Sequence, residues 1–253
     1  MLSKNKIKLI QSLNRKKNRD ELGFFLVEGN KMVEEAIRSG FKIELIVCTS
    51  EFAEQHQKIN IRATELIITD GESISKASLL QNPQDALAIV CQPPNVFSEL
   101  NLENELCLAL DFIQDPGNLG TILRIADWYG INHIVCSENT VDVFNPKVVQ
   151  ASMGAIFRVK TTITDLSTFI KTSVDSGISV YGTFLEGQNI YQQKLSPNGM
   201  IVLGNEGNGI SDPISRLVTH KLLIPSFSTH SNKPESLNVA IATAICCSEF
   251  RRR

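Results

Sequence analysis

The stretch LCLALDFIQDPGNLGTILRIADWYG, residues 106–130, decides the fold class of this chain. It begins with a continuous apolar run, 106–113, of the kind needed by a strand that is buried on both faces of a parallel sheet. A tight turn rich in Pro and Gly follows, and a helix is predicted over 119–129. A buried strand that leads directly into a helix is the repeating unit of an α/β domain.

The same alternation continues towards the carboxyl end. Further strands are predicted over 132–136, 157–163, 178–184, 200–204 and 221–225. Helices are predicted between them, among them a Pro-started helix over 146–154 and a last helix over 237–250. The pattern predicts an α/β domain with a mainly parallel sheet flanked by helices.

The residues before this domain predict a second, smaller α/β unit. Its predicted helices cover about 3–12 and 31–38, and its predicted strands cover 24–27, 43–49, 65–69 and 86–90. Segment 93–104 contains prolines and shows no periodicity, so it is predicted to be a linker. We therefore predict an N-terminal domain over 1–92 and a C-terminal domain over 105–253.

Composition sets the broad class of the protein. The 253 residues are 42% hydrophobic and 21% charged, as in soluble globular proteins. No apolar run approaches the roughly 20 residues that a membrane helix needs, and the amino terminus lacks the pattern of a signal peptide. The six cysteines lack Cys-x-x-Cys spacing and are expected to be reduced and buried in a cytoplasmic protein. The four histidines are isolated, so no metal site is predicted.

Charge is distributed unevenly along a chain whose net charge is only −2. That balance argues against a protein that coats nucleic acid indiscriminately. The first 20 residues, however, contain one acidic residue, Asp20, and seven basic residues: Lys4, Lys6, Lys8, Arg15, Lys16, Lys17 and Arg19. Local basic segments favour contact with RNA on one face. Lys16, Lys17 and Arg19, with Arg124 further along the chain, are the candidate RNA-binding residues. A solvated helix end is the alternative that charge alone leaves open.

The first candidate site follows the strand at 106–113. Residues 116–120 form a tight turn in which Asn118 is predicted to cap the next helix. Arg124 lies one turn into that helix, where a cation opposes the helix dipole. Its position therefore indicates a role other than helix stability, with an ion pair to a neighbouring acid as the alternative.

Two further candidate segments also follow predicted strands. MIVLGNEGNGI, residues 200–210, places Glu206 among three glycines, whose backbone can approach a ligand closely. LLIPSFSTHSNKPESLNVAIATAI, residues 222–245, places Ser236 and Asn238 at the start of a helix. All three segments follow the carboxyl ends of predicted strands, and open α/β sheets bind ligands at the edge that these strand ends form. Neither a G-x-G-x-x-G after an early strand nor a P-loop motif occurs, which argues against a dinucleotide-binding oxidoreductase and a P-loop enzyme.

In this order and spacing, the three segments resemble the motifs of the SpoU–TrmH family, RNA ribose methyltransferases of the knotted SPOUT superfamily. Three residues of the first segment match, Asn118, Gly120 and Arg124. The other two segments match at Gly204, Asn205, Glu206, Gly207, Gly209, Ile224, Pro225, Glu235, Ser236, Leu237, Asn238 and Val239. KKNRDELGFFLVEGNKMVEEA, residues 16–36, resembles the basic stretch and Phe-x-Val-Glu-Gly of the family's ribosomal-protein-like substrate-binding domain.

The resemblance implies a deep trefoil knot, a homodimer whose active sites form at the subunit interface, and S-adenosylmethionine as cofactor. It places Gly204, Ile224 and Leu237 in the cofactor pocket, with three further residues nearby: Leu203, Asn205 and Ser236. The loop at 226–235 departs from the family pattern because it is longer and lacks the family's glycine. Cofactor contacts from that loop are therefore not carried over.

The resemblance also implies the reaction, attack of a ribose 2′-hydroxyl on the cofactor's methyl group. It gives Arg124 the role of deprotonating or orienting that hydroxyl, with Asn118, Glu206 and Asn238 holding the arginine and the RNA. An arginine stays protonated in proteins, so orientation is at least as plausible as base catalysis. Ribosomal RNA is the expected substrate, because a separate domain suits a folded RNA. A transfer RNA methyltransferase and a non-catalytic RNA-binding or assembly protein are the alternatives.

Overall fold

A computed structural model describes residues 2–56, 63–95, 100–230 and 235–252. The chain divides into two compact units. Unit 1 comprises Met1–Pro94 and Asp142–Arg158, and unit 2 comprises Asn95–Val141 and Val159–Arg253. The predicted domain limits stay predictions, and residues 96–99 of the predicted linker lie outside the described part of the chain.

The helices and strands largely follow the predicted alternation. In chain order the helices are α1 Lys4–Ser12, α2 Lys16–Leu22, α3 Asn30–Arg38, α4 Ser50–Gln55, α5 Gly71–Ala77, α6 Pro116–Trp128, α7 Pro146–Ser152, α8 Leu166–Asp175, α9 Asp212–Ser215 and α10 Val239–Arg251. The strands are β1 Phe24–Glu28, β2 Ile43–Cys48, β3 Ala63–Ile68, β4 Ala86–Cys91, β5 Leu106–Leu110, β6 His133–Ser137, β7 Lys160–Thr164, β8 Val180–Asn189, β9 Gly199–Leu203 and β10 His220–Leu223.

Unit 1 contains a four-stranded mixed sheet in the order β1-β4-β2-β3. Strand β4 runs antiparallel to both of its neighbours, whereas β2 and β3 are parallel. One hydrophobic cluster joins α1 and α5 to the sheet, with Ile10 and Ile74 fully or almost fully buried against Leu26 and Ile89. This is the small N-terminal α/β unit that the sequence predicts.

Segment 142–158 is part of unit 1 although it lies between β6 and β7 in the chain. Phe144 packs on Phe25 of β1 with ring centroids 4.8 Å apart. Asp142 Oδ2 accepts a hydrogen bond from Nε of Arg19 at 2.9 Å. Unit 1 therefore buries aromatic and charged groups from two distant parts of the sequence.

This packing corrects the prediction that Arg19 binds RNA. The residue is only 1% exposed. Its guanidinium donates to the carbonyl oxygens of Leu13 and Asn14, at 2.7 and 3.0 Å, and to Asp142. A buried arginine needs such partners, because leaving the charge unpaired would be costly. Arg19 is therefore a structural residue of unit 1.

Unit 2 contains the predicted parallel sheet, in the order β10-β8-β9-β5-β6-β7. Every neighbouring pair in it is parallel. On one face, Cys107 and Ala109 of β5 pack with Leu166 and Ile170 of α8. Helices α6 and α10 pack against each other elsewhere in the unit. The predicted fold class, a mainly parallel sheet flanked by helices with a small α/β N-terminal unit, is confirmed; the trefoil knot stays a prediction.

The parallel sheet determines where the candidate residues lie. Central strands β5 and β9 are adjacent, with Leu110 paired to Leu203 at their carboxyl ends. The loops that follow these two strands therefore leave the sheet side by side. Within the described residues, no helix is long and apolar enough to cross a membrane, and all six cysteines are free thiols.

Candidate active site

The loop after β5 places a helix start at the edge of the sheet. Helix α6 begins at Pro116 and its N-cap is Asp115. The Asp115 carboxylate accepts a hydrogen bond from the backbone N–H of Asn118 at 2.8 Å. The prediction that Asn118 caps this helix is therefore wrong. Because Asp115 performs that role, the side-chain amide of Asn118 is available for other contacts.

Those contacts bring together three of the four predicted catalytic residues. Asn118 Nδ2 donates to Glu206 Oε1 at 3.0 Å, and Asn118 Oδ1 accepts from Asn238 Nδ2 at 2.9 Å. Asn118 lies in the first turn of α6, Glu206 in the loop after β9, and Asn238 at the N-cap of α10. We call Asn118, Glu206 and Asn238 the polar junction. A carboxylate can only accept hydrogen bonds, so Glu206 fixes which way the Asn118 amide points.

Glu206 also faces the amino terminus of α6. The backbone amides of Gln114 and Asp115 each lie 3.4 Å from one of its carboxylate oxygens. These distances are long for hydrogen bonds, and the Glu206 side chain is exposed. The positive end of the helix dipole nevertheless favours a carboxylate at this place. Glu206 thus complements the helix start that carries Asn118.

Asn238 combines two functions at the start of α10. Its Oδ1 atom accepts from the backbone amides of Ala240 and Ile241 at 2.9 and 3.3 Å, which makes it the N-cap. Its Nδ2 atom is left to donate to Asn118. The sequence prediction that Asn238 lies at a helix start is confirmed by this geometry.

The glycine-rich loop after β9 folds back on itself. Asn205 and Gly209 exchange both backbone hydrogen bonds at 2.9 Å. At Gly204, a Cβ atom would lie 2.1 Å from the carbonyl carbon of Gly209 and 2.2 Å from the nitrogen of Ile210. Glycine is therefore required at 204 by the loop's own backbone, whereas the sequence attributed it to close approach of a ligand.

Asn205, predicted to bind cofactor, uses its side chain inside the protein. Its Nδ2 atom donates to the Phe112 carbonyl oxygen at 2.9 Å, and its Oδ1 atom accepts from the amides of Gly207 and Asn208, each at 3.0 Å. The residue is 9% exposed. Its amide therefore stabilises the loop instead of pointing towards a ligand.

Arg124, the fourth predicted catalytic residue, is not part of the polar junction. Its side chain is exposed on α6. Within the described part of the chain it has neither a hydrogen bond nor an ion pair, so the alternative of an ion pair to a neighbouring acid receives no support there. Because α6 begins at Pro116, Arg124 lies more than two turns into the helix, past its middle, and not one turn from its amino-terminal end as the sequence predicted. The helix dipole therefore says little about this residue, but its exposed guanidinium is available to an anionic ligand.

The remaining predicted residues lie at four separate places. Leu203 is buried at the end of β9, and Ile224 is half-buried directly after β10. Ser236 and Leu237, just before α10, are both exposed. Lys16 and Lys17 are exposed on α2 and form ion pairs one turn along that helix, with Asp20 and Glu21. Loop residues 231–234 lie outside the described residues.

Sequence reasoning missed several residues that support the site. Asp115 could have been found, because an Asp followed by Pro is a frequent start of a helix. The carboxylate of Asp111, buried after β5, accepts from the Ser211 amide at 2.7 Å and fixes the end of the glycine-rich loop. No local pattern indicates that contact, since the two residues are 100 positions apart.

The fold and the polar junction together define an α/β protein whose candidate ligand site lies at the carboxyl edge of a parallel sheet, where the segments after β5, β9 and β10 meet. Residues 105–248 match the SpoU rRNA Methylase family, and residues 4–88 match the MRM3-like substrate binding domain. The chain belongs to the SpoU rRNA methylase family, as the resemblance indicated.

Individual relatives cover almost the whole chain. The 23S rRNA (guanosine(2553)-2′-O)-methyltransferase RlmP of Bacillus subtilis is 31% identical over 248 residues, which are 97% of this chain and 96% of that protein. The structure of a TrmH-family protein from Porphyromonas gingivalis is 39% identical, with a TM-score of 0.89, and covers 100% of this chain and 99% of its own. An AdoMet-bound rRNA methyltransferase from Sinorhizobium meliloti is 31% identical, with a TM-score of 0.87 and coverages of 100% and 97%.

Proposed function

We propose that this protein transfers the methyl group of S-adenosylmethionine to a ribose 2′-hydroxyl in ribosomal RNA. The observation that carries the proposal is the polar junction, which unites residues from all three family motifs by two hydrogen bonds, of 3.0 and 2.9 Å. The named relatives add the substrate class, because RlmP methylates 23S rRNA at a 2′-oxygen. A non-catalytic binding protein would not need this arrangement together with an exposed Arg124 on the helix that carries Asn118.

The chemistry of the proposed cofactor residues fits S-adenosylmethionine. Ile224 and Leu237 supply apolar surface for an adenine, and backbone groups at Gly204 and Ser236 supply hydrogen-bonding partners. Leu203, whose side chain is fully buried, is kept as a cofactor residue on the family resemblance alone. When bound, the cofactor supplies a methyl group on a sulfonium, which is already an excellent leaving group. The protein has to align the ribose with it, and the 2′-hydroxyl proton has to leave.

We assign the alignment to Arg124 and the polar junction. A guanidinium stays protonated, so Arg124 acts by donating hydrogen bonds to the ribose oxygen or to a phosphate. Asn118 and Asn238 supply amide groups whose orientation Glu206 already fixes. The 2′-hydroxyl proton then leaves to phosphate or water. Lys16 and Lys17 are retained as RNA-binding residues of unit 1, because they are exposed cations on one helix.

We also propose that the protein acts as a homodimer in the cytoplasm. Helices α6 and α10 pack together and leave two large apolar side chains exposed: Trp128 at 85% and Ile241 at 53%. A second copy of the chain would cover such a surface, as the family resemblance implies. Free thiols suit the reducing cytoplasm, where ribosomal RNA is available.

The test is transfer of a labelled methyl group from S-adenosylmethionine to total RNA of a strain that lacks the gene. We expect label in large ribosomal RNA, recovered after digestion as a 2′-O-methylnucleoside. Label in the transfer RNA fraction would keep the chemistry and change the substrate. Cofactor binding without transfer to any RNA would contradict the proposal and favour a binding or assembly protein. Light scattering at several concentrations tests the dimer.

A further inference from the structure

Phe112 has an uncommon backbone conformation at the start of the candidate site. Its φ angle is 61°, in the left-handed region that residues with side chains seldom adopt. Such a conformation costs free energy and persists only where the surrounding structure holds it. Phe112 lies directly between the end of β5 and the loop that starts α6.

Two side chains, one at the end of β6 and one in the glycine-rich loop after β9, hold both backbone polar groups of Phe112. Its N–H donates to Ser137 Oγ at 2.8 Å, and its carbonyl oxygen accepts from Asn205 Nδ2 at 2.9 Å. Ser137 is the last residue of β6, the strand next to β5. No motif in the local sequence marks this serine as part of the site.

The Ser137 hydroxyl is itself oriented by Thr140. The two hydroxyl oxygens are 3.1 Å apart, and Thr140 Oγ1 donates to the Leu110 carbonyl oxygen at 3.4 Å. Each hydroxyl has one proton to give. Since Thr140 gives its proton to Leu110, Ser137 gives its own to Thr140 and is left as an acceptor for Phe112. Val141 N also donates to the Ile113 carbonyl oxygen at 2.8 Å, so segment 137–141 supports the loop at several points.

The conformation of Phe112 determines where the following amides point. Gln114 and Asp115 come next in the chain, their N–H groups face Glu206, and Asp115 caps α6. A change to right-handed or extended backbone at 112 would redirect all of these groups. It would leave β5 and β6 unchanged, because their ladder ends before Phe112.

We infer that Ser137 and Thr140 are positioning residues of the methyl transfer reaction, which hold left-handed Phe112 and thereby place the start of α6 against Glu206. This inference rests on the proposed function. The glycine-rich loop has its own support from Asp111, which binds the Ser211 amide. Loss of the Ser137 hydroxyl should therefore affect the transfer step more than cofactor binding.

The first test is Ser137→Ala, assayed for methyl transfer at saturating cofactor and for cofactor binding by calorimetry. We expect kcat to fall about tenfold, the size of one lost hydrogen bond, while Kd for S-adenosylmethionine changes less than about threefold. Thr140→Val, which removes only the orienting hydroxyl, should lower kcat about threefold. The control is Ser173→Ala, a serine elsewhere in unit 2 whose hydroxyl donates to a helix carbonyl oxygen.

A double-mutant cycle distinguishes positioning from general loss of stability. Glycine adopts left-handed backbone without strain, so in a Phe112→Gly background Ser137→Ala should lower kcat less than about threefold. If Ser137→Ala lowered kcat equally in both backgrounds, or left kcat unchanged in the wild-type background, this inference would be overturned and the proposed function would stand. Absence of transfer by the wild-type protein would overturn the proposed function and the inference with it.

Discussion

Asn238 offers a prediction that separates helix stability from catalysis, because its side chain uses different atoms for each. Oδ1 caps α10 by accepting from two backbone amides, at 2.9 and 3.3 Å, and Nδ2 donates to Asn118 at 2.9 Å. Asn238→Ala removes both sets of contacts. Asn238→Ser keeps a capping oxygen and removes the donor to Asn118.

The magnitudes follow from these contacts. Loss of an N-cap costs about 1 kcal/mol, which lowers Tm by roughly 2–4 °C in a protein of this size. Asn238→Ala should show that shift, and Asn238→Ser should not. Both variants lose the amide that holds Asn118, so both should lower the rate of transfer about tenfold, the effect of one hydrogen bond of roughly 1.4 kcal/mol.

The assay pairs thermal unfolding with single-turnover methyl transfer at saturating cofactor and RNA. Asp165→Ala is the matched control, since Asp165 caps α8 through two amides at 3.1 and 3.3 Å, away from the polar junction. Asp165→Ala should lower Tm and leave the rate of methyl transfer unchanged. If Asn238→Ser kept the wild-type rate, the contact with Asn118 would have no role in transfer, and the reasoning from the polar junction would be refuted.

Three further predictions concern single charged groups. Arg124→Ala should abolish transfer and leave Tm unchanged, with Arg216→Ala, another exposed arginine of unit 2, as the control; residual turnover near the wild-type value would exclude the assigned role. Asp142→Asn should destabilise the fold by about 3–5 kcal/mol, because it strips the buried Arg19 of its counter-charge; denaturant titration with an unchanged midpoint would contradict this. Burial raises the pKa of Glu28, so its ionised form destabilises the fold above that pKa. Glu28→Gln should therefore raise Tm at pH 7.5, with the gain shrinking as the pH falls towards the ordinary range of a carboxyl group; a Tm gain independent of pH would disprove the charge argument.

The strands were predictable because burial on both faces leaves a strong mark in the sequence. LCLAL at 106–110 and MIVL at 200–203 are continuous apolar runs, and both are central strands of the sheet. The helix over 16–22 was not predicted, because KKNRDEL lacks apolar residues at helical spacing. It forms because Arg19 is buried through contacts within unit 1 and Gly23 ends the helix in the left-handed conformation.

Arg19 shows why a list of charges does not identify an RNA-binding surface. In the sequence it belongs to the same basic run as Lys16 and Lys17. In the fold it pairs with Asp142, which lies 123 positions later in the sequence, and no local pattern predicts that pairing. Helical geometry separates the three residues, since Lys16 and Lys17 have acids one turn along the helix whereas Arg19 points into unit 1.

The candidate site was predictable in its residues and not in its connections. Asn118, Glu206 and Asn238 stand in three segments that a sheet of parallel strands brings to one edge. Which side-chain atoms are free to form these contacts depends on which residues cap α6 and α10. For α6 the sequence was ambiguous, because Asp115 and Asn118 are both good N-cap residues. Only the position of Pro116 favours Asp115.

These connections bear on how Arg124 works. Glu206 can only accept, so it fixes the Asn118 amide, and Asn118 in turn accepts from Asn238. The polar junction is therefore ordered before any RNA arrives. Arg124 is the exception among the four proposed catalytic residues, since within the described chain its side chain has no partner that would order it. The entropy of holding a long side chain is then offset only when RNA binds. Catalytic alignment should accordingly depend on the ribose and its phosphate themselves, which favours an arginine that orients the substrate over one that removes its proton.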